Sequence, residues 1–202
     1  MCGLSGYYIS IEINMKAIFL GLLLAALQPS NAPTPVNGPA TDTSYARHIR
    51  EFMVSFPQDP SFSKDVTADR AYATDTAFIK YLKADTSFTA DDEAEIRAVF
   101  AHPPVTLWTP TLFPGARLEP HDSIDAAFKV HTDMFHEWDA FHKKYGFALR
   151  TYSLPVFFHN NTRCLFSWSY RTGPEGGYDN YEVFAWKNGR WVQDRVLVHY
   201  MF

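Results

Sequence analysis

Most of the chemistry open to this chain rests on histidine. Eight histidines occur in 202 residues, and imidazole serves both as a metal ligand and as a general base near neutral pH. His131 and His142 stand eleven residues apart. On one helix they would share a face but lie about 16 Å apart by helix rise. A metal–nitrogen bond spans only about 2 Å, so the two could not hold one ion, and further ligands would have to come from His159 or His199. His136-Glu137 begins like the H-E-x-x-H zinc motif, yet the next histidine is His142 at i+6 rather than i+4, and the motif fails. Two amphipathic histidines in a packed interface is the simpler reading. No metal and no cofactor is assigned.

The other reactive groups are single. Cys164 as a nucleophile would need a histidine partner and an accessible, electropositive setting. The alternation Cys164, Phe166, Trp168, Tyr170 places it among aromatics on one face of a strand, which predicts a buried, inert thiol. A G-x-S-x-G nucleophile elbow is absent after residue 32. The loop Thr172-Gly173-Pro174-Glu175-Gly176-Gly177 leads into a strand and has no Lys or Ser/Thr after its glycines, so it is not a phosphate cradle. Glu175 at its tip is a lone carboxylate. Asn160-Asn161-Thr162 matches a glycosylation sequon. The candidate ligand-binding residues are therefore His131, His142, Trp168, Tyr170, Glu175 and His199. A catalytic histidine–carboxylate cluster would require at least three of His131, His142, His159, His199, Asp139 and Glu175 to converge in one cleft.

These residues need elements to position them. Tyr45, Ile49, Phe52, Met53 and Phe56 recur with helical spacing and predict an amphipathic helix from Thr43 that stops before Pro57. A weaker helix is expected over about 69–84. Thr89 and Asp92 form a capping-box pattern at the start of a helix that ends at His102-Pro103. Five prolines fall between 103 and 120, where only Val105–Trp108 suggests a short edge strand. The longest helix is expected from Ser123 to Tyr145, closed by Gly146. Four strands follow, from Tyr152–Phe158, Arg163–Arg171, Tyr181–Lys187 and Trp191 onward. Asn188-Gly189 marks a type I′ hairpin between the last two. The expected fold is α+β, with N-terminal helices and the long helix packed on a four-stranded antiparallel meander whose aromatic face that helix covers.

Composition narrows the function. The net charge is −4, with 18 basic against 22 acidic residues and no basic block, which argues against nucleic acid and polybasic membrane contact. Aromatic residues reach 16%, ample apolar mass for a folded core. Met15-Lys16 followed by the unbroken apolar run Ala17–Leu27 and Ser30-Asn31-Ala32 reads as a signal peptide, with translation starting at Met15. That run is well short of the roughly 20 residues of a membrane span. Residues 1–32 are thus a leader and signal peptide, 33–40 a Pro-rich linker and 41–202 a single domain, with no membrane span after processing.

The C-terminal half resembles a group of exported bacterial proteins without an assigned activity. The likeness is carried by Trp138-x-x-Phe141-x-x-x-Tyr145, Ser153-x-Pro155-x-Phe157 and Lys187-Asn188-Gly189-Arg190-Trp191. Leu107-Trp108 and the run from Leu112 to Leu118 add to it, and it spans roughly 88–202. Many members carry a Cys-Gly-rich loop between the second and third strands. Here that loop has no cysteine, so a disulfide or metal role for it lapses. The resemblance implies an exported α+β domain and no particular reaction.

Two functions are carried forward. One is a periplasmic or secreted non-catalytic domain that binds a small molecule or an envelope protein. The other is a periplasmic hydrolase or metal-dependent enzyme built on a histidine–carboxylate cluster. The absence of a catalytic motif favours the first. N-terminal sequencing of protein recovered from the periplasm is expected to begin between Pro33 and Thr41; a chain starting at Met1 would remove export from the account.

Overall fold

A computed structural model describes residues 43–56, 64–72, 74, 76–129 and 133–202. The signal peptide and linker assigned to residues 1–40 lie outside them. Among the described residues the fold is mixed α/β, with five α-helices and a seven-stranded mixed sheet. The helices are α1 (Thr43–Ser55), α2 (Ile79–Leu82), α3 (Ala90–Ala101), α4 (His121–Phe128) and α5 (Met134–Tyr145). The strands are β1 (Val66–Ala68), β2 (Arg117–Glu119), β3 (Leu149–Tyr152), β4 (Val156–Phe158), β5 (Arg163–Gly173), β6 (Gly176–Lys187) and β7 (Arg190–Met201).

The sheet runs β2-β1-β3-β5-β6-β7, with β4 also paired to β5. It is larger than the antiparallel meander expected from the sequence, because β1 and β2 add a parallel annex beside β3. The predicted strand Tyr152–Phe158 is divided. Pro155 has no N–H to give a ladder, and Ser153 Oγ instead accepts from Ser167 N–H at 2.9 Å. β3 and β4 therefore meet opposite ends of β5. The β6–β7 turn is as expected, with Asn188 and Gly189 both at positive φ (53° and 76°).

Burial follows the alternation along β5. Cys164 and Phe166 point to one face, where Ile49, Phe52 and Met53 of α1 and Phe56 just after it meet them with Phe184 and Trp191. Phe52 has ring contacts with Phe56, Phe157, Phe166, Phe184 and Trp191. Leu165 and Val183 point to the other face, under Ile79, Leu82 and Ile96 of α2 and α3. The α4–α5 pair packs its Ile124, Ala127, Phe141 and Tyr145 on Val66 and Ala68 of β1. The cover of the aromatic face is thus α1, not the helix expected over 123–145.

That long helix is two helices. Asp133 accepts from the backbone N–H groups of Phe135 and His136 at 3.1 and 3.0 Å, an N-cap that starts α5 afresh. The predicted helix over 69–84 is also mostly replaced. Residues 70–72 run extended, with Tyr72 N–H donating to Tyr152 O (3.2 Å) and Ala71 N–H to Thr106 O (3.0 Å), and only Ile79–Leu82 is α-helical. The 105–108 strand reduces to one bridge between Arg70 and Leu107. The capping box at Thr89 and Asp92 is present.

Two devices finish the sheet. Asp65 and Arg150, both buried, pair at 2.8 Å and tie the annex to β3. β7, an edge strand, departs twice from regular pairing with β6, at Asp194 and at Leu197. No helix among the described residues is long and apolar enough to cross a membrane. Phe52→Ala is expected to destabilise by about 3–5 kcal/mol, read from denaturant melts; a loss below about 1 kcal/mol would mean α1 is not the essential cover.

Candidate functional site

Parallel strands direct ligands to the crevice outside their carboxyl ends. In this sheet only β1 and β2, with β3 beside them, run parallel. Asp69 and Arg70 leave the end of β1, and Pro120 and His121 leave the end of β2, where His121 becomes the first residue of α4. The two strand ends meet beside a cleft of about 490 Å³, which Arg70 and His121 line.

Asp69 organises this rim. Its Oδ1 accepts from the His121 backbone N–H at 2.9 Å and lies 2.8 Å from the ring Nδ1. The carboxylate thereby favours the tautomer with a proton on Nδ1. The other ring nitrogen, Nε2, meets the Arg70 guanidinium and lies 3.0 Å from Asp122 Oδ1. The His121 side chain is only 17% exposed, so the imidazole is held in place with one edge toward the opening. Behind it the walls are mainly apolar, from Tyr72, Phe100, Val105, Leu107 and Leu154. Thr74 Oγ1 lies 3.1 Å from Ser167 Oγ at the buried side. Burial drives the Tyr72 phenol far above its ordinary range, with a hydrogen bond to Ser167 opposing the shift.

The candidates from the sequence lie elsewhere. His131 falls outside the described residues. His142 sits on α5 among rings, with Trp138 at 5.6 Å and Phe147 stacked at 6.2 Å. Glu175 is exposed at the tip of the β5–β6 turn. His159 pairs with Asp92 at 3.2 Å. Among the described residues no group of three or more His, Cys, Asp or Glu is placed to hold a metal ion. Cys164 is buried, and desolvation pushes its thiol well above the ordinary value, which leaves no accessible nucleophile there.

Three of the candidates do come together. Trp168, Tyr170 and His199 share a face of the sheet around Tyr178, whose ring lies 5.3, 5.3 and 5.8 Å from theirs. His199 Nδ1 lies 2.6 Å from Asn180 Oδ1. Beside them on the same face, Glu182 is buried and accepts from Trp168 Nε1 (3.4 Å) and Gln193 Nε2 (3.0 Å). This is an aromatic patch with a buried carboxyl beside it, and none of its residues lines the cleft.

Asp69, Arg70, His121 and Asp122 were not singled out in the sequence. Strands of three residues show no period, and Asp69-Arg70 falls inside a run that scans as helix. The available signal was Glu119-Pro120-His121-Asp122, a helix start directly after a short alternating segment. Comparison with protein-family models, with curated proteins and with solved structures returned no match.

Burial raises the Glu182 carboxyl above its ordinary 4.5, against the pull of its two hydrogen bonds. Its contribution to stability is complete below that value and is lost as pH rises through the raised one. At neutral pH the charge is a penalty, and Gln193 can turn its amide to pair with a neutral side chain. Glu182→Gln is expected to raise the melting temperature at neutral pH, with the gain shrinking toward about pH 4; a gain that does not depend on pH would contradict this.

Proposed function

We propose that this chain is an exported, non-catalytic domain that binds a small, largely apolar molecule in the cleft at the carboxyl ends of β1 and β2. The observation that carries the reading is His121, locked by Asp69 at the rim of an apolar cleft. Such sites are mostly apolar, with a few fixed polar groups that orient the ligand. Tyr72, Val105, Leu107 and Leu154 supply the apolar wall; Arg70 and His121 supply the polar end. Export rests on the apolar run Ala17–Leu27 and the small residues after it. The likeness of the C-terminal half to exported bacterial proteins agrees with it and belongs to the same proposal.

One observation favours a second reading, the hydrolase. Asp69 on Nδ1 is the arrangement that makes an imidazole a directed base. Against it, Nε2 is already engaged by Arg70, and no Ser or Cys among the described residues lines the cleft.

Native mass spectrometry of the protein recovered from its own cells tests both. The wild type is expected to carry a bound molecule that Leu107→Arg loses; Leu107 is half exposed, so the change spares the core. A bare wild-type mass, with no rise in anilinonaphthalene sulfonate fluorescence on the native protein, would sink the binding reading. Turnover of p-nitrophenyl acetate that disappears in His121→Asn would put the hydrolase in its place.

A further inference from the structure

A second recess of about 290 Å³ lies beside the β6–β7 hairpin, lined by His48, Glu51, Asn160, Asn161, Trp186 and Trp191. It shares no residue with the cleft. We propose that this recess binds a sugar ring. Among the described residues its broad apolar surface is indole: Trp186 is 42% exposed, and its ring meets Trp191 at 5.4 Å and 66°. An indole face is electron-rich and suits the C–H face of a pyranose.

The polar groups select the ligand class. Two carboxamides each donate and accept, and a carboxylate accepts, the pattern that hydroxyl groups need. Among the described residues no Lys or Arg lines the recess, so these side chains offer a phosphate or carboxylate no strong counter-charge. Glu51 already faces Arg47 at 3.8 Å and His48 at 4.0 Å, which reduces its draw on a cation. A purely apolar ligand would desolvate three polar side chains without pairing them. Trp191, 5% exposed, adds an indole Nε1 with no hydrogen-bond partner among the described residues. A buried N–H in that state calls for an acceptor.

The recess is also built to hold its shape. His159, Asn160 and Asn161 all have positive φ (56°, 54° and 60°), a conformation that asparagine tolerates and most residues avoid. His159 is held by Asp92 at the start of α3. Thr162 donates to His159 O through both its backbone N–H (3.2 Å) and its hydroxyl (2.7 Å). Trp186 N–H donates to Thr162 O at 2.8 Å. The turn that carries the amides and the strand that carries the indole are thus one hydrogen-bonded unit, a pre-organised first contact surface.

Saturation-transfer NMR on the full chain tests this with glucose, galactose, mannose and N-acetylglucosamine, each at millimolar concentration. At least one is expected to receive saturation, strongest at ring C–H protons. Trp186→Ala, an exposed change, is expected to abolish it, and Glu51→Ala to weaken binding about tenfold. His121→Ala, in the separate cleft, is expected to leave it unchanged. No transfer to any of the four sugars, or transfer that survives Trp186→Ala, would overturn the proposal.

Discussion

Cys164, Leu165 and Phe166 are consecutive in β5 and all fully buried. Successive side chains on a strand point to opposite faces, so a central strand apolar on both sides cannot leave either face to water. This requirement arranges the helices. One face takes α1, whose Phe52, with Phe56 just past its end, inserts among the rings of Phe166 and Phe184. The other takes α2 and α3. With both faces of β5 spoken for, the α4–α5 pair settles farther along the sheet, over β1.

The parallel annex follows from that placement and gives the molecule its cleft. In an antiparallel meander, neighbouring strands end at opposite edges and their loops are short hairpins. β1, β2 and β3 instead end together, and the chain leaves each of them at the same rim. The buried Asp65–Arg150 pair secures this arrangement, with the guanidinium also lying 4.6 Å from the Tyr170 ring. Removing one partner of such a pair strands the other charge in a dry interior, a loss of about 3–5 kcal/mol. The same contact therefore links the cleft side of the sheet to the aromatic patch of Trp168, Tyr170 and His199.

Local signals in the sequence carried over well where a few adjacent residues settle the backbone. The Thr89 capping box, the Asn188-Gly189 turn, the stripe of α1 and the alternation of β5 all have that character. Part of what escaped was decided by distant partners. Residues 70–72 take strand-like bonds from Tyr152 and Thr106 that outweigh a weak helical pattern. A helical stripe from Ser123 to Tyr145 is real on both halves, but Asp133 caps a new helix between them. Trp168 and Tyr170 were legible as neighbours from the alternation of one strand, and His199 reaches the same face through Tyr178 on β6. His121 was missed because its importance comes from Asp69, fifty-two residues away.

The two irregular points in β7 bear on how the molecule behaves in company. Twelve residues of edge strand present open N–H and C=O groups, the kind of template on which a second chain can build. At Asp194 the extra residue turns toward Arg163 and Lys187, and at Leu197 it turns into the core beside Val183. Each departure breaks the straight run of outward-facing groups and adds twist. An incoming strand would find the row interrupted every few residues, with a charged knot in its path. The long hairpin can therefore extend to the border of the sheet without seeding a continuous ribbon between molecules.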